Sequence, residues 1–244
     1  MLQTISGEIV RTKVSEKIKK LRSLVGNTPV VRIFCQIEQK ELAILAKYEA
    51  VNFTGSIKDR MALTILEAAY HMDTLKENDI IVEATSGNTG IAFAAMGAYL
   101  GHPVHIYMPD WLSEERKKLL RFYGAELFEI SAKKGGFLKC IDLANKKSQK
   151  NGYFGPKQFD NTWNIMAHVK STAPELESVL KNNNLGDLDT FITGMGTGGT
   201  IMGFHHYFSQ KKNDFKAYPI LPNKNKDGEH RIEGIGDSFI PKIV

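Results

Sequence analysis

The fold class follows from residues 79–101, which read DIIVEATSGNTGIAFAAMGAYLG. The first part is a short β-rich run, and the last part is an alanine-rich run that ends at Gly101, where a left-handed helix C-cap would lie. A polar turn that contains two glycines joins the two parts. The segment therefore predicts a strand, a turn and a helix in succession, as in a βαβ unit.

The same alternation extends along the chain on both sides of this segment. Gly124 and Gly152 lie where two further helices would end. Alternation of this kind is typical of parallel βαβ units. We therefore predict an α/β protein with open parallel sheets flanked by helices, which bind ligands beyond the carboxyl ends of their strands. The other strand-like runs, each followed by a helical pattern, are LAILAKYE (42–49), VHIYMP (104–109) and ELFEIS (126–131).

The second half of the chain continues the pattern less regularly. A helical region spans 163–182, the run LDTFIT (188–193) predicts a strand, and a further helix is expected over 199–210. Pro174 breaks or restarts the helical region, and Thr172 is placed to cap the piece that follows. The helical region is therefore expected in two pieces.

Length and composition indicate a globular protein. The 244 residues are 42% hydrophobic and 24% charged, which allows one substantial core or two lobes. No apolar run approaches the roughly 20 residues that cross a bilayer, and the N-terminus lacks the layout of a secretion signal. Cys35 and Cys140 do not form a C-x-x-C pair and are interpreted as structural thiols. We expect a soluble cytoplasmic protein without a disulfide framework.

The formal net charge of +5 raises the question of nucleic-acid binding. The basic residues, however, are spread over amphipathic runs such as RKKLLR and NKKSQK, which are typical of solvated helix faces. The sequence contains no aromatic RNA-binding signature and no zinc-finger spacing. His205 and His206 also lack ligand partners at a metal-binding spacing. We therefore expect no nucleic-acid partner, no metal site and no membrane association.

The first turn with unusual chemistry reads NFTGSIKDR (52–60). Apolar residues recur at helical spacing after it, so Lys58 is predicted to lie in the first turn of a helix. A helix N-terminus favours anions and lowers the pKa of a nearby lysine, because its N–H groups are unpaired and its dipole is positive there. Lys58 is therefore either an ordinary solvated lysine or a neutral amine nucleophile.

The second turn lies within the opening segment and is rich in hydrogen-bonding groups. Hydroxyls, a carboxamide and glycine N–H groups at the start of a helix form a nest that suits a carboxylate. Simple N-capping explains one of these residues but does not require all of them together. The residues of this carboxylate turn are Thr85, Ser86, Gly87, Asn88 and Thr89.

The third turn follows the predicted strand LDTFIT and is rich in glycine. Its spacing, G-x-G-x-G-G, differs from the dinucleotide-binding fingerprint, and it lacks the Gly-Lys-Ser/Thr ending of a P-loop. Successive backbone N–H groups at a helix start can still surround one phosphate, so the turn predicts a cup for a small phosphate ester. The residues of this phosphate turn are Gly196, Thr197, Gly198, Gly199 and Thr200.

An amine nucleophile, a carboxylate nest and a phosphate cup together fit one cofactor chemistry. Pyridoxal phosphate forms a Schiff base with a lysine and needs a phosphate anchor, and its amino-acid substrates bring a carboxylate. The amine must be neutral to attack the aldehyde, which favours the second interpretation of Lys58. The three turns therefore predict an enzyme that uses pyridoxal phosphate on an amino acid.

Six motifs occur in a specific order along the chain: GNTPVVRI, NFTGSIKDR, TSGNTG, FGPKQFDN, GMGTGGT and HRIEGIGDSFIP. With these motifs the chain resembles, over nearly its whole length, the fold type II pyridoxal-phosphate enzymes of the cysteine synthase (O-acetylserine sulfhydrylase) and cystathionine β-synthase family. The resemblance implies a two-lobed fold like that of the tryptophan synthase β subunit. Residues 49–160 would form a smaller mobile lobe, and 15–48 with 161–244 would form the larger lobe that binds the cofactor phosphate.

The resemblance also implies roles for individual residues. Lys58 would bind the cofactor covalently and would remove and return the α-proton of the substrate. Asn88 would hydrogen-bond the 3′-oxygen of the cofactor. The other residues of the carboxylate turn, together with Gln158, would receive the substrate carboxylate. The phosphate turn would hold the cofactor phosphate, and Gly234 would line the mouth of the site.

The motif EGIGDSF departs from the family pattern. Cysteine synthases usually have a glutamine before this glycine and small residues after it, whereas this chain has Glu233 and Asp237. A carboxylate near the mouth can act as a general base toward water or another polar nucleophile. We therefore hypothesise that Asp237 is catalytic and favours the release of sulfide from cysteine. A solvated loop aspartate is the alternative.

The resemblance leaves the reaction open. The leading expectation is β-replacement or β-elimination on a β-substituted L-amino acid, as in a cysteine synthase that converts O-acetylserine and sulfide to cysteine and acetate. One alternative is a cysteine-consuming lyase that releases sulfide and forms serine, lanthionine or cystathionine. Another is an inactive binding protein, because the chain stops at Val244, before the residue that contacts the pyridine nitrogen in the family. The implied partners are sulfide or a thiol, a second copy of the chain in a homodimer, and serine acetyltransferase.

Overall fold

The computed structural model describes residues 14–223, 232, 234–236 and 239–244. Strands and helices alternate along most of this range, which confirms the predicted α/β class. No helix within the described residues is long and apolar enough to cross a membrane. The strands are β1 (Val30–Ile37), β2 (Lys40–Lys47), β3 (Ile80–Ala84), β4 (Val104–Pro109), β5 (Glu126–Ile130), β6 (Tyr153–Phe154), β7 (Thr190–Gly194) and β8 (Lys216–Ile220).

The helices follow the strands in the predicted alternation. A π-helical turn, His168–Thr172, joins two of them, and short 3-10 turns occur at Glu49–Val51 and Ala132–Lys134. The helices are α1 (14–22), α2 (Lys58–His71), α3 (Asn88–Leu100), α4 (Glu114–Phe122), α5 (Gly136–Ser148), α6 (Trp163–Ala167), α7 (Ala173–Asn182) and α8 (Gly199–Ser209).

The largest sheet in the described chain has the strand order β5-β4-β3-β6, and all four strands are parallel. Neighbouring residues of β3 point to opposite faces, as the period of a strand requires. Ile81 belongs to the core that contains Met61 of α2 and Phe93 of α3, whereas Val82 belongs to the core that contains Cys140 of α5. Helices therefore cover both faces, which explains why β3 is an apolar run rather than an alternating one.

The prediction for LAILAKYE is wrong in one respect. β2 pairs antiparallel with β1 instead of opening a parallel βαβ unit. Glu38 and Gln39 connect the two strands with φ angles of 46° and 67°, as in a tight two-residue hairpin turn. The sequence did not signal this turn, because neither residue is the Asn or Gly that usually adopts such angles.

The helical region around Pro174 also differs from the prediction. α6, the π-helical turn and α7 follow one another without a break, and Pro174 lies in the first turn of α7. Thr172 does not cap α7, because its backbone angles are helical and its hydroxyl contacts His168 instead. The wider π turn ends two residues before Pro174, whose ring and missing N–H a regular helix interior does not accommodate.

Two of the predicted glycine positions lie at helix ends, and one does not. Gly101 has a φ of 96° and is the C-cap of α3. Gly124 has a φ of 81° and directly follows Tyr123, the C-cap of α4. α5, however, ends at Ser148, so Gly152 belongs to the loop before β6. Helix α5 therefore stops one turn earlier than predicted.

The small sheets lie outside the range predicted for the mobile lobe. The four-stranded sheet lies wholly within 49–160, whereas β1 and β2 form one separate sheet and the parallel pair β7 and β8 forms another. α7 and α8 share a core with the second pair around Phe204. The division into two lobes, and the motion of one against the other, stay predictions.

Candidate active site

The three turns singled out in the sequence meet at one cavity of about 260 Å³. It lies beyond the carboxyl ends of β3 and β7, where a parallel sheet places its ligands. Gly199 begins α8 beside the cavity, and Asp237 lies outside the described residues. The other predicted site residues all line it: Lys58, Thr85, Ser86, Gly87, Asn88, Thr89, Gln158, Gly196, Thr197, Gly198, Thr200 and Gly234.

Lys58 is the first residue of α2. The turn that presents it is fixed by Asp59, whose carboxylate accepts hydrogen bonds from the Thr54 N–H at 2.7 Å and the Thr54 hydroxyl at 2.6 Å. Ser56 Oγ accepts a hydrogen bond from the Lys58 N–H at 3.2 Å. Lys58 therefore lies at the cavity on a helix start that is held in place locally. The neutral state of its amine stays a prediction.

The carboxylate turn is held by side chains that bond to each other. Thr89 donates its hydroxyl to Gln158 Oε1 at 2.6 Å, and Gln158 Nε2 donates to the Ala84 carbonyl at 2.9 Å. Both side chains are buried. A carboxylate only accepts hydrogen bonds, so it can use the Thr89 hydroxyl only by replacing the bond to Gln158.

The phosphate turn is packed so closely that two of its positions require glycine. A Cβ atom at Gly196 would lie less than 3.0 Å from the carbonyl oxygen of Gly234, and one at Gly199 would lie equally close to Asn164 Oδ1. Gly198 has a φ of 86°, a left-handed conformation that side chains disfavour. The turn therefore presents bare backbone to the cavity at the start of α8, as a phosphate site does.

Asn164 joins the phosphate turn to the loop that carries Gln158, and the sequence reasoning missed it. Its Nδ2 donates hydrogen bonds to Thr197 Oγ1 and to the Gln158 carbonyl, both at 2.9 Å. Asn164 is 2% exposed and lies on α6. The signal in the sequence was a carboxamide at the start of a helix, which by itself indicates only a cap.

A buried carboxylate supports the loop that carries Gln158. Glu83 on β3 is 4% exposed, and it accepts hydrogen bonds from the backbone N–H groups of Ala84 at 2.8 Å and Gln158 at 3.2 Å. Burial raises the pKa of Glu83 to about 7, against the hydrogen bonds that favour its charged form. The sequence reasoning did not identify this residue, although it lies two positions before Thr85, the first residue of the carboxylate turn.

A buried ion-pair network lies behind Lys58. Arg60 has 1% of its side chain exposed, and it pairs with Glu49 at 2.6 Å and with Glu175 at 2.7 Å. Burial acts to raise the pKa of Glu175, but hydrogen bonds from Arg60 and Lys47 outweigh it and lower the pKa to about 2. The network therefore stays charged at neutral pH and ties the start of α2 to α7.

Arg116 and two aromatic residues complete the wall of the cavity. Arg116 Nη1 donates a hydrogen bond to the Ser86 carbonyl at 3.0 Å. Phe137 and Phe159 also line the cavity, with their ring centroids 6.0 Å apart. The sequence reasoning placed none of the three at the site, although Phe159 directly follows the predicted Gln158.

A family model described as pyridoxal-phosphate dependent enzyme matches residues 21–239. The chain belongs to this family. Membership confirms the predicted fold type II class, the cysteine synthase type of enzyme and the pyridoxal phosphate cofactor. The match includes all three turns.

Individual relatives agree with the family. A cysteine synthase of Staphylococcus aureus is 34% identical over 233 residues, which are 92% of this chain and 73% of the relative. A cysteine synthase of Flavobacterium sp. is 36% identical over 93% of this chain and 75% of the relative. The chain thus spans about three quarters of the length of these curated relatives.

Solved structures show the same architecture. A hydrogen sulfide-producing enzyme from Fusobacterium nucleatum is 44% identical, with a TM-score of 0.89 over 94% of this chain and 71% of that one. An O-ureido-L-serine synthase is 33% identical, with a TM-score of 0.79 over 92% of this chain and 71% of that one. These enzymes support chemistry at the β-carbon of an amino acid as the general activity.

The described residues fit the cofactor of the family. Lys58 brings a side-chain amine to the cavity that the phosphate turn also lines. The close packing at Gly196 and Gly199 leaves no room for side chains there, so these positions offer only backbone at the start of α8, as a phosphate site does. The carboxylate turn lines the same cavity, so a carboxylate bound there would lie near a phosphate bound at α8.

Proposed function

We propose that this enzyme consumes L-cysteine by β-elimination, releases sulfide and then adds water or another nucleophile at the β-carbon. The family and the relatives support pyridoxal-phosphate-dependent β-replacement or β-elimination in general. One observation carries the finer proposal. The hydrogen sulfide-producing enzyme is 44% identical to this chain, whereas the cysteine synthases are 34% and 36% identical.

The proposal assigns a task to each part of the site. Pyridoxal phosphate, when bound, disperses the negative charge that develops at the substrate α-carbon. Lys58 takes the α-proton onto its Nζ and later returns it. The carboxylate turn and Gln158 bind the substrate carboxylate, which orients the bond from the β-carbon to sulfur. The phosphate turn anchors the cofactor by its phosphate.

Asp237 extends the proposal to the incoming nucleophile. Gly234 and Ile235 line the cavity, and Asp237 follows them closely in the chain. A carboxylate there would take the proton from water or a thiol as it adds to the β-carbon. One structure of the hydrogen sulfide-producing enzyme is an aspartate-to-asparagine mutant complexed with an alpha-aminoacrylate intermediate. By analogy, we assign Asp237 the general-base role in this chain.

Sulfide release from L-cysteine by the purified, cofactor-loaded protein tests the proposal. We expect release by the wild type and a loss of about 10²–10⁴-fold or more in Lys58→Ala, together with loss of the visible absorbance of the bound cofactor. Lys150→Ala, at an exposed loop position, is the matched control and should keep the full rate. A wild type that releases no sulfide from cysteine would contradict the proposal.

Cysteine synthesis is the second candidate, because the two curated relatives above are cysteine synthases. Asp237→Asn separates the two candidates. We expect it to slow sulfide release from cysteine by about 10²-fold and to leave the reaction of O-acetylserine with sulfide nearly unchanged. Equal rates of sulfide release in wild type and Asp237→Asn would remove Asp237 from the mechanism.

The assembly and its location stay predictions. We propose a cytoplasmic homodimer, with serine acetyltransferase as a further partner, from the resemblance to the family. Light scattering of the purified protein measures the number of copies. A pull-down with purified serine acetyltransferase tests the second partner.

A further inference from the structure

His168 is a buried histidine beneath the phosphate turn, and the proposed reaction does not use it. It is 2% exposed and begins the π-helical turn. Its Nδ1 lies 2.9 Å from Thr172 Oγ1, and its Nε2 lies 3.2 Å from Thr200 Oγ1. Thr200 belongs to the phosphate turn and lines the cavity. The imidazole therefore bridges a buried hydroxyl and a hydroxyl at the cofactor site.

Two backbone features hold the ring between these hydroxyls. The π-helical turn spans His168–Thr172 and brings its first and last side chains together, and such turns often occur at functional sites. On the opposite helix, a Cβ atom at Gly203 would lie less than 3.0 Å from His168 Cβ. The missing side chain at Gly203 lets α8, which carries Thr200, approach the histidine.

The imidazole is neutral in this position. Burial lowers the pKa of His168 to about 3, and the positive charge of Arg60 acts in the same direction. A neutral imidazole has one N–H group and one unprotonated nitrogen, so it donates at one end and accepts at the other. The position of the proton therefore sets the direction of the hydrogen bonds from Thr172 to Thr200.

A phosphate at the turn selects one of the two directions. Phosphate oxygens accept hydrogen bonds, so the Thr200 hydroxyl has to donate its hydrogen to the phosphate. The Thr200 oxygen then accepts from Nε2–H of His168, and Nδ1 accepts from the Thr172 hydroxyl. In the other tautomer, the Thr200 hydrogen would point at His168, and the oxygen lone pairs would face the phosphate.

We propose that His168 is a positioning residue for the cofactor phosphate. Its Nε2–H holds the Thr200 hydroxyl as a donor to the phosphate, and Thr172 holds the ring in that tautomer. The inference rests on the proposed function in one respect, which is that the phosphate turn binds the cofactor phosphate. It adds to the site a residue that makes no contact with the cofactor itself.

The first test compares the affinity of the whole chain for pyridoxal phosphate and for pyridoxal, which lacks the phosphate. The visible absorbance of the bound aldehyde measures both. We expect His168→Leu to weaken pyridoxal phosphate binding about 10-fold and to change pyridoxal binding by less than about twofold. His168→Gln, whose carboxamide N–H can replace Nε2–H, should recover most of the loss. Equal weakening of both ligands, or no weakening, would overturn the inference.

A double variant tests whether the histidine acts through the threonine. Thr200→Val removes the hydroxyl that His168 orients, so we expect about the same 10-fold loss for pyridoxal phosphate. Adding His168→Leu to Thr200→Val should cause little further loss, because residues that act through one hydrogen-bond chain are not additive. A full additional loss in the double variant would contradict a role through Thr200.

Nitrogen-15 NMR of the cofactor-loaded protein with labelled histidine measures the tautomer directly. The His168 signals are identified by their disappearance in His168→Gln. We expect a protonated Nε2 and an unprotonated Nδ1. The reverse tautomer, or a doubly protonated ring at neutral pH, would overturn the inference.

The outcomes separate this inference from the proposed function. If the wild type binds pyridoxal as tightly as pyridoxal phosphate, the phosphate turn does not act as proposed, and both fail. If the wild type prefers pyridoxal phosphate and His168→Leu keeps that preference, only the inference fails. If His168→Leu does not fold, Thr172→Val makes the same comparison, because it removes the donor to Nδ1 and leaves the ring in place.

Discussion

The carboxylate turn and the phosphate turn are held in place by different means. A Cβ atom at Gly87 would meet no other atom within 4 Å, whereas one at Gly196 or Gly199 would lie less than 3.0 Å from a neighbour. The carboxylate turn depends instead on the hydrogen bond from Thr89 to Gln158. Close packing against Gly234 and Asn164 therefore constrains the phosphate turn, and an exchangeable side-chain hydrogen bond holds the carboxylate turn.

The difference corresponds to the two ligands that the turns are proposed to bind. A cofactor stays through many reaction cycles, so a rigid anchor needs no rearrangement in each cycle. A substrate enters and leaves in every cycle, and a hydrogen bond that re-pairs allows the turn to close on it. The more closely packed of the two turns is therefore the one that is proposed to hold the cofactor.

The ion-pair network of Arg60 supports the start of α2, beside both turns, and its loss should have the greatest effect on stability. Arg60→Met removes the buried cation that Glu49 and Glu175 share and leaves Lys47 near both carboxylates. We expect the free energy of unfolding, measured with urea, to fall by about 3 kcal/mol, because two half-buried carboxylates lose the cation that they share. The control Arg22→Met breaks an exposed pair with Glu67 and should cost about 1 kcal/mol or less. Similar small losses in both variants would show that the network is not a support.

The buried Glu83 should make the stability of the protein depend on pH, because it supports the loop that carries Gln158. The pKa of Glu83 is about 7 in the folded protein and 4.5 as a reference, so folding favours its protonated form. The wild type should therefore lose stability as the pH rises from about 4.5 through 7, by about 3 kcal/mol at most. Glu83→Gln, which cannot ionise, should lack this part of the pH dependence.

Urea unfolding at pH 5 and pH 8 measures the effect at Glu83. Glu115→Gln, at an exposed position on α4, is the control and should follow the wild type at both pH values. An unchanged pH dependence in Glu83→Gln would mean that the carboxylate is accommodated in its charged form.

Adding one methyl group to each turn tests whether the two turns differ in packing. Gly199→Ala forces a methyl group against Asn164 and should cost about 1–3 kcal/mol of stability, together with affinity for pyridoxal phosphate. Gly87→Ala adds the same methyl group where space is open and should change stability by about 0.5 kcal/mol or less. Thermal unfolding measures the stability of the two variants, and titration with pyridoxal phosphate measures their cofactor affinity. Equal effects would remove the distinction between the turns.

The smallest expected effect concerns the exchangeable bond. Thr89→Val removes one donor to the substrate carboxylate and should raise the KM for L-cysteine about 10-fold, with cofactor affinity unchanged. The effect is modest because the hydroxyl gives up Gln158 when it binds substrate. Thr64→Val on α2 is the control, since its hydroxyl donates a hydrogen bond to the Arg60 carbonyl within the same helix. A comparable loss of cofactor affinity in Thr89→Val would show that this turn also anchors the cofactor.

The parts of the site that are local in the chain were predictable. Lys58 at the start of α2 and the carboxylate turn before α3 follow from helix-start signals after polar or strand-like runs. Parallel topology places each of the two binding turns at the carboxyl end of its own strand. β3 and β7 belong to separate sheets, however, so tertiary packing decided that the carboxylate and phosphate turns meet. The hairpin of β1 and β2 was not predictable, because Glu38 and Gln39 adopt positive φ angles without the usual residue types.

By itself, the sequence determined the alternation of strands and helices, the three turns and the cofactor chemistry, because periodicity and helix-start chemistry involve residues close in the chain. The tertiary structure alone decided which side chains support those turns. Glu83 meets Gln158 across 75 positions, and His168 meets Thr200 across 32. Such hydrogen bonds and their pKa shifts depend on distance and burial, which arise only when the chain packs into its core.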